Sequence, residues 1–429
     1  MRLLFINAYS PMNLGDGAIV LRMLDEARRV FGGDVEIIVS ATEPEPFLQL
    51  GIAAMPRPIQ WRPLGSPLRR LAWLLRALPD ALLLALGSAA GRPQLARVAR
   101  SRLLSPSASG FLQAMLRADL VIATGGGYLA DYYARQFPFW HLQYRCARAA
   151  GVPLVFFSQS IGPLTRRIPR LWVSAALGHS ETFCARDESS ALLAERLGAR
   201  RVVRTLDVAL LSEAPPALSP GKDPHTLGIS LVRWPNLQGD PIGRQARYLD
   251  AAERAVRLVH ESDPQLSVLL FSTNKRSEAN VADDVSVAEE MRERLAAEGV
   301  SCELVPWTPL PEEFCSAVGR CSLFVASRMH SAVLAACAGV PVVGVAYEPK
   351  LSGLLSALGF GALVVPMEAP DALPGIVSEA WRERDSLAAR LPEAMRKARL
   401  LAQGAMEACA EVLGVRPASA APADRADAG

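Results

Sequence analysis

The chain has 429 residues, of which 50% are apolar and 21% are charged, and its formal net charge is +3 at neutral pH. This length is enough for two or three domains, and this composition argues against a disordered chain. The small basic excess predicts no nucleic-acid partner, because no strong positive field follows from it. The seven cysteines are scattered and include no C-x-x-C pair, so they predict buried thiols in a reducing compartment and no metal site.

Short apolar runs alternate with helical patterns in the first half of the chain. This alternation predicts an α/β fold in which helices cover both faces of a parallel sheet. The predicted strands are residues 3–8, 35–40, 120–124, 154–158 and 182–185, and the predicted helices are 16–31, 132–150, 169–179 and 188–197.

The same rhythm restarts after a proline-rich boundary at residues 212–224. We therefore predict two doubly wound, Rossmann-like domains, 1–215 and 227–415, with a linker at 216–226 and a disordered tail at 416–429. Ligands bind at the carboxyl ends of parallel strands, so an active-site cleft between the domains is expected. The second-half strands are predicted at 227–232, 266–272, 302–305, 323–326 and 340–346, and the helices at 243–261, 283–298, 331–338 and 371–413.

An insertion at about residues 56–110 is rich in leucine, arginine and proline. It predicts either a pair of helices with solvent-facing arginines or a cationic amphipathic surface that rests on an anionic membrane. No apolar stretch approaches the roughly 20 residues of a membrane span, and the N-terminal apolar run is too short for a secretory signal. We expect a cytoplasmic protein, with peripheral contact at the inner face of the cell membrane as the alternative.

Polar and glycine-bearing segments follow several of these strands. Asn13, Gly15 and Asp16 follow the first strand, where a turn into a helix favours an anion or a polar ligand, although Asp16 would also serve as a plain N-cap. Gly125, Gly126 and Gly127 follow the strand at 120–124 and allow close approach of a ligand to the backbone. The alternative is a tight strand-to-helix turn capped by Asp131.

Two further segments add polar and cationic side chains at strand ends. Gln159 follows the strand at 154–158 and suits a cleft wall. Arg186 follows the next strand, where its planar guanidinium can bind a phosphate or carboxylate; the alternative is a salt bridge to Asp187 or Glu188.

The strongest segment contains Arg328, His330 and Ser331 between a buried strand and a helix of small residues, with Lys350 after the next strand. Arginine supplies a permanent charge for an anion, and histidine can exchange a proton near neutral pH. The usual structural role of a lone histidine is the alternative. Serine hydrolase, zinc protease and P-loop motifs are absent from the sequence.

Taken together, these motifs resemble the polysaccharide pyruvyl transferase family over residues 1–360. The matching segments are Asn13-x-Gly15-Asp16, Gly125-Gly126-Gly127, Gln159-Ser160-Ile161-Gly162, Arg186-Asp187-x-x-Ser190, Arg328-x-His330, Gly339-Val340-Pro341 and Tyr347-x-x-Lys350.

This resemblance implies a GT-B-like fold and an enzyme that moves the pyruvyl group of phosphoenolpyruvate onto a sugar of a cell-surface polysaccharide or lipid-linked precursor. A cyclic ketal forms and phosphate is released, and no metal or cofactor is expected. Arg186, Arg328 and Lys350 would bind the donor anion. His330 would protonate the enol, and Asp131 would accept a proton from the attacking hydroxyl. The sequence makes no prediction of oligomeric state.

Two other functions fit the same residues. One is a GT-B glycosyltransferase that uses a nucleotide-sugar, with Glu348 holding the nucleotide. The other is a non-catalytic binding protein of the same fold.

Overall fold

A computed structural model describes residues 1–60, 67–213, 221–233, 241–275 and 283–415. By its contacts the described chain forms two compact units. The first unit comprises Met1–Ser10, Ile19–Val208 and the described part of Leu401–Gly429, and the second comprises Pro11–Ala18 with the described residues of Ala209–Leu400. The predicted tail at 416–429 and most of the predicted linker lie outside the described residues.

The first unit contains an eight-stranded parallel sheet in the order β3-β2-β1-β4-β6-β7-β8, with β5 paired to β6. The strand order reverses between β1 and β4, as in a doubly wound fold. Near-continuous apolar residues form the central strands because helices cover both faces. The strands are β1 (Arg2–Ala8), β2 (Glu36–Ala41), β3 (Ala54–Pro56), β4 (Leu120–Ala123), β5 (Gly126–Leu129), β6 (Leu154–Ile161), β7 (Thr182–Ala185) and β8 (Val202–Arg204).

Among the described residues, eight helices belong wholly or mainly to the first unit, and the described part of the insertion contains three of them, not the predicted pair. The third helix of the insertion has an N-cap of its own, because the Ser105 hydroxyl accepts a hydrogen bond from the Ala108 N–H. The helices are α1 (Leu14–Phe31), α2 (Pro44–Gln49), α3 (Pro67–Ala89), α4 (Arg92–Ala99), α5 (Pro106–Arg117), α6 (Phe137–Ala150), α7 (Arg167–Leu177) and α8 (Glu188–Arg196).

The second unit contains a six-stranded parallel sheet in the order β11-β10-β9-β12-β13-β14. Its order reverses between β9 and β12. The strands are β9 (Thr226–Ser230), β10 (Ser267–Phe271), β11 (Ser301–Leu304), β12 (Leu323–Ala326), β13 (Val342–Ala346) and β14 (Val364–Pro366). The helices are α9 (Pro241–Ser262), α10 (Val285–Ala297), α11 (Pro311–Val318), α12 (Met329–Cys337), α13 (Pro349–Ala357), α14 (Leu373–Arg382) and α15 (Arg384–Val412).

Two parallel sheets with helices confirm the predicted fold class, and four local predictions were wrong. Residues 126–129 form strand β5 where the sequence predicted a loop, because their backbone pairs with β6. Gln159 lies within β6 and not after it, since that strand extends to Ile161. Residues 132–136 do not begin a long helix, because a short 3₁₀ turn at Asp131–Tyr133 precedes α6. The helical pattern at 371–413 is broken at Glu383 into α14 and α15.

By its length and composition alone, one helix among the described residues is long and apolar enough to cross a membrane. Leu71–Ala89 within α3 has a mean hydropathy of 1.4, and 22% of this window is buried. The expectation that no stretch approaches a membrane span was therefore wrong for α3. Pro79 and Asp80 interrupt the apolar run in the sequence, but α3 continues through both residues.

Candidate active site

Several of the predicted site residues meet in the second unit, at the carboxyl ends of strands β9, β10 and β12. This edge is where the strand order reverses, the usual ligand site of an open α/β sheet. Arg328 and His330 follow β12 and begin α12, and Ser331 follows them in the first turn. The Ser331 hydroxyl lies 2.7 Å from that of Ser230 at the end of β9, which ties the start of α12 to the neighbouring strand.

The turn that carries Asn13 and Gly15 also belongs to this second unit. The N–H of Leu14 donates to the carbonyl of Thr273 at 2.9 Å, and the N–H of Lys275 donates to the carbonyl of Met12 at 3.1 Å. These bonds attach the turn to the segment after β10. Asn13 Oδ1 accepts a hydrogen bond from the Gly15 N–H at 3.0 Å, so Asn13, and not Asp16, caps the first turn of α1.

Gly15 lies directly against the ring of His330. A Cβ atom placed on Gly15 would lie 1.9 Å from His330 Nδ1 and 2.4 Å from its Cγ. Any larger residue would therefore displace the imidazole. The glycine at this position is required by close packing, and its partner is the histidine that the sequence predicts as a proton donor.

Arg328 is held by a fully buried carboxylate. Its Nη2 and Nε donate to Asp284 at 2.8 and 3.2 Å, and its Nη1 donates to the Tyr347 hydroxyl at 3.3 Å. Burial favours the neutral guanidine, but Tyr347 and Asp284 outweigh it and raise the pKa of Arg328, so the side chain remains charged. Thr273 and Asn274 also donate to Asp284, both at 3.1 Å, and the resulting network orients the guanidinium.

Lys350 and Ser331 have partners inside the protein. Lys350 Nζ lies 2.5 Å from Glu348 Oε2, and both side chains are partly exposed at the start of α13, where Glu348 is the N-cap residue. Ser331 is fully buried and donates to the carbonyl of Arg328 at 2.8 Å. Its hydroxyl therefore supports the turn that contains Arg328 and is not presented to solvent.

The first unit holds the remaining predicted site residues, and Arg186 is the cation among them. Arg186 Nη1 donates to Asp207 at 2.6 Å with both side chains buried, and its Nε donates to the Ser160 hydroxyl at 2.8 Å. The sequence offered Asp187 or Glu188 as salt-bridge partners, and the structure assigns Asp207 instead. Asp187 accepts from Ser160 Oγ at 2.6 Å and from the Ser190 N–H at 2.8 Å, which caps α8.

Backbone conformation or a close neighbour favours glycine at each of the three consecutive positions. Gly126 adopts a φ of +149°, a conformation that favours glycine. A Cβ on Gly125 would lie 3.2 Å from the Phe157 carbonyl oxygen, and one on Gly127 would lie 3.2 Å from Arg186 Nη2. The glycines therefore allow β5 to pass close to β6 and to Arg186.

Asp131 lines an open surface cavity of about 630 Å³ together with Tyr132, Arg135 and Arg166. Its Oδ2 accepts from the Thr165 N–H at 2.7 Å and from the Thr165 hydroxyl at 2.6 Å. Burial would raise the pKa of Asp131, but the hydrogen bonds from Thr165 and Arg166 outweigh it and lower the pKa. Asp131 Oδ1 has no hydrogen-bond partner among the described residues.

A buried polar cluster that the sequence did not indicate lies at the end of β1. Asn7 has a positive φ of 67°, and its Nδ2 donates to the Tyr144 hydroxyl at 2.7 Å and to the Tyr128 hydroxyl at 3.4 Å. Burial raises the pKa of both phenols, so they remain neutral hydroxyl groups. Gln159 is buried on β6, and its side-chain amide donates to the Thr124 carbonyl.

A sequence profile of the polysaccharide pyruvyl transferase family matches residues 13–349. The chain belongs to this family. It is therefore a transferase, as the resemblance implied. The matched span begins at Asn13, in the turn that carries Gly15, and includes Arg186, Arg328 and His330.

Solved structures share the fold at low sequence identity. HepE from Anabaena, in complex with UDP and glucose, is 15% identical over 96% of this chain and 99% of its own, with a TM-score of 0.54. S. aureus MnaA, solved with UDP, is 12% identical over 99% and 100%, with a TM-score of 0.56. A putative UDP-N-acetylglucosamine 2-epimerase from Listeria monocytogenes is 10% identical over 96% and 97%, with a TM-score of 0.57. These likenesses confirm the predicted two-domain, Rossmann-like GT-B fold.

Sequence reasoning missed Asp284 and Asp207, the carboxylates that pair with Arg328 and Arg186 in this pyruvyl transferase family member. Asp284 immediately precedes α10 and has the sequence context of an N-cap, but its side chain makes no cap hydrogen bond. Asp207 lies in a segment without a recognisable motif. A buried carboxylate paired with an arginine far away in the sequence leaves no local signal, so only the fold identifies both.

Proposed function

We propose that this protein transfers the pyruvyl group of phosphoenolpyruvate to a sugar of a cell-surface polysaccharide or a lipid-linked precursor, with release of phosphate. One observation carries the proposal: Arg328, His330 and the backbone of Gly15 lie together at the amino end of α12. A helix amino terminus and a fixed guanidinium favour an anion. The adjacent imidazole can supply a proton to the bound donor.

The reaction needs an acid beside an anion site. Protonation of the methylene carbon of phosphoenolpyruvate leaves positive charge on the neighbouring carbon, which a sugar hydroxyl attacks as it loses its own proton. Phosphate then leaves by cleavage of its C–O bond, and a second hydroxyl of the sugar adds to close the ketal. His330 is the proposed acid, and Asp131 is the proposed base for a hydroxyl proton.

The cations proposed to bind the donor are already paired with carboxylates. Asp284 holds Arg328, Asp207 holds Arg186, and Glu348 contacts Lys350. An arginine has more N–H donors than Asp284 and Tyr347 take up, so Arg328 can bind an anion while its carboxylate partner keeps it oriented. The site thus relies on directed N–H donors more than on net positive charge.

Protection against thermal unfolding tests the donor. Phosphoenolpyruvate at 100 times its dissociation constant is expected to add roughly 2.7 kcal/mol to the free energy of unfolding, beyond any effect of inorganic phosphate. Arg328→Lys, which keeps the charge but loses the two-point contact with Asp284, is expected to lose most of this protection. The matched control is Arg294→Lys, because Arg294 also pairs with carboxylates of the second unit, Asp250 and Glu290.

UDP and GDP are measured beside phosphoenolpyruvate, because HepE and MnaA were solved with UDP on the same fold. Protection by a nucleotide diphosphate and none by phosphoenolpyruvate would overturn the pyruvyl assignment in favour of a glycosyltransferase. Protection by neither would support a non-catalytic protein or a different donor. Equal protection of wild type and Arg328→Lys by phosphoenolpyruvate would show that Arg328 does not bind the donor.

A further inference from the structure

Helix α3 has two opposite faces. One face packs into the first unit through Ala77, Leu84 and Gly87. The opposite face carries leucines at positions spaced three and four apart, so they form one stripe along the helix. We call this set the α3 leucine stripe; its members are between 47% and 65% exposed and are Leu71, Leu74, Leu75, Leu78, Leu82 and Leu86.

The inner face anchors α3 to the protein. Trp73 Nε1 donates to the Gln60 carbonyl at 2.6 Å, and the buried Asp80 accepts from the Ser105 N–H at 2.9 Å. A Cβ on Gly87 would lie 3.2 Å from Leu95 of α4. Crossing a membrane would break these contacts, so the stripe is suited to lie on a surface.

The segment that contains the stripe is strongly basic. From residue 57 to residue 117 the sequence contains ten arginines and a single acidic residue, Asp80, which is 6% exposed. Arg76, Arg100 and Arg102 are exposed. Arg102 lies three residues before Ser105, whose N–H donates to Asp80 in the middle of α3.

Helix α7 repeats this pattern on the same side of the sheet. Ile168 and Leu171 are each 69% exposed, and the neighbouring Arg167 and Arg170 are exposed as well. Buried residues of α3, α6 and α7 belong to one hydrophobic core cluster. Ring contacts of Trp73 with Phe139 and of Trp172 with His141 place α6 between the two helices.

We propose that the α3 leucine stripe and its flanking arginines bind the surface of an anionic lipid bilayer. An apolar stripe flanked by arginines is the composition of a helix that lies in the plane of a membrane interface. A second copy of the chain is a poorer partner, since a two-fold contact through this surface would bring arginines against arginines. Lipid binding needs no substrate, so its test does not depend on the proposed pyruvyl transfer.

Vesicle flotation of the full chain tests the proposal. The protein is expected to float with vesicles of phosphatidylcholine mixed with phosphatidylglycerol, and to stay at the bottom with phosphatidylcholine alone or at high salt. The triple variant Arg76→Gln, Arg100→Gln, Arg102→Gln is expected to bind about 100-fold more weakly, at about fivefold for each surface arginine. The triple variant Leu75→Gln, Leu78→Gln, Leu82→Gln is expected to bind at least about tenfold more weakly.

Matched controls replace exposed residues elsewhere, namely Leu192, Leu400 and Leu401 by glutamine, and Arg254, Arg257 and Arg382 by glutamine. These controls are expected to float like wild type. Failure of the wild type to float with anionic vesicles overturns the proposal, as does unchanged flotation of both α3 variants. Sedimentation of the wild type as a dimer that the leucine variant dissociates would assign the stripe to a second copy instead.

Discussion

At the scale of single residues, Gly15 and His330 are in close contact within the second unit. The two residues are far apart in the sequence, yet a Cβ on Gly15 would overlap the imidazole at 1.9 Å from Nδ1. The glycine therefore sets the position of the ring. A small change at Gly15 should act on catalysis through His330 without direct loss of a functional group.

We expect His330→Gln to lower the turnover of phosphoenolpyruvate by about 10²-fold or more, since it removes the proposed general acid. Gly15→Ala should lower turnover in the same direction, because the new methyl group displaces the ring. Both variants should keep the thermal protection by phosphoenolpyruvate that Arg328 provides. Phosphate release in single turnovers measures the turnover. Thermal unfolding with and without phosphoenolpyruvate measures the protection.

Two controls accompany these variants. Gly375→Ala adds a methyl group where no atom lies within 4 Å, and His225→Gln changes a histidine that is paired with Asp263 near the start of β9. Both should retain turnover. Wild-type turnover in folded His330→Gln would show that His330 is not the acid.

At the scale of elements, the start of α8 is tied to strand β6 by its N-cap. Asp187 Oδ1 accepts from the Ser190 N–H at 2.8 Å, and Ser190 Oγ accepts from the Ile161 N–H of β6 at 2.8 Å. Burial would raise the pKa of Asp187, but hydrogen bonds from Ser160, Ser189 and Ser190 outweigh it and lower the pKa. The ionised carboxylate therefore stabilises the folded state.

The lowered pKa of Asp187 predicts how the stability of the protein depends on pH. A carboxyl whose pKa is lower in the folded state contributes stability above its unfolded pKa, near 4, and the contribution is lost as pH falls through the folded pKa. Asp187→Asn should cost about 1–2 kcal/mol of unfolding free energy at neutral pH, because an amide can still cap Ser190 but its nitrogen cannot accept from Ser160, and the difference from wild type should shrink in acid.

Urea unfolding followed at a series of pH values measures this difference. The neighbouring Glu188→Gln is the control, because Glu188 is exposed and pairs with the exposed Arg204, so it should have a smaller effect. A difference between wild type and Asp187→Asn that is the same at acid and neutral pH would contradict the assignment.

At the scale of the whole molecule, each of the two units has its own parallel sheet and its own buried core. Chains of this length generally divide into separately cored domains. Arg328 and His330 belong to the second unit, whereas Arg186 and Asp131 belong to the first. Because the cations Arg328 and Lys350 and the proposed acid His330 all belong to the second unit, the donor should stabilise this unit more than the first.

Calorimetry should reveal this division. We expect a calorimetric enthalpy of unfolding larger than the van't Hoff enthalpy, because two cores unfold in more than one step. Phosphoenolpyruvate should raise the temperature of one transition more than that of the other, and Arg328→Lys should remove the selective effect. A single two-state transition with equal enthalpies would contradict this expectation.

The sequence by itself determined the fold class and the family. Alternating apolar runs and helical patterns are local signals, and they predicted both parallel sheets because a buried strand and an amphipathic helix each leave a periodic trace. The motif order, from Gly15 to His330, was enough to identify the pyruvyl transferase family. Errors concerned element boundaries and breaks, such as the division of the helical pattern at 371–413, and short elements such as β5, whose pairing depends on a neighbouring strand.

Only the tertiary structure decided which residues meet. It placed Gly15 against His330, gave Arg328 the buried partner Asp284 and gave Arg186 the buried partner Asp207. It also showed that the leucines on one face of α3 are exposed. Such contacts join positions tens to hundreds of residues apart, and no local pattern encodes them, because strand order and crossover connections bring these residues together.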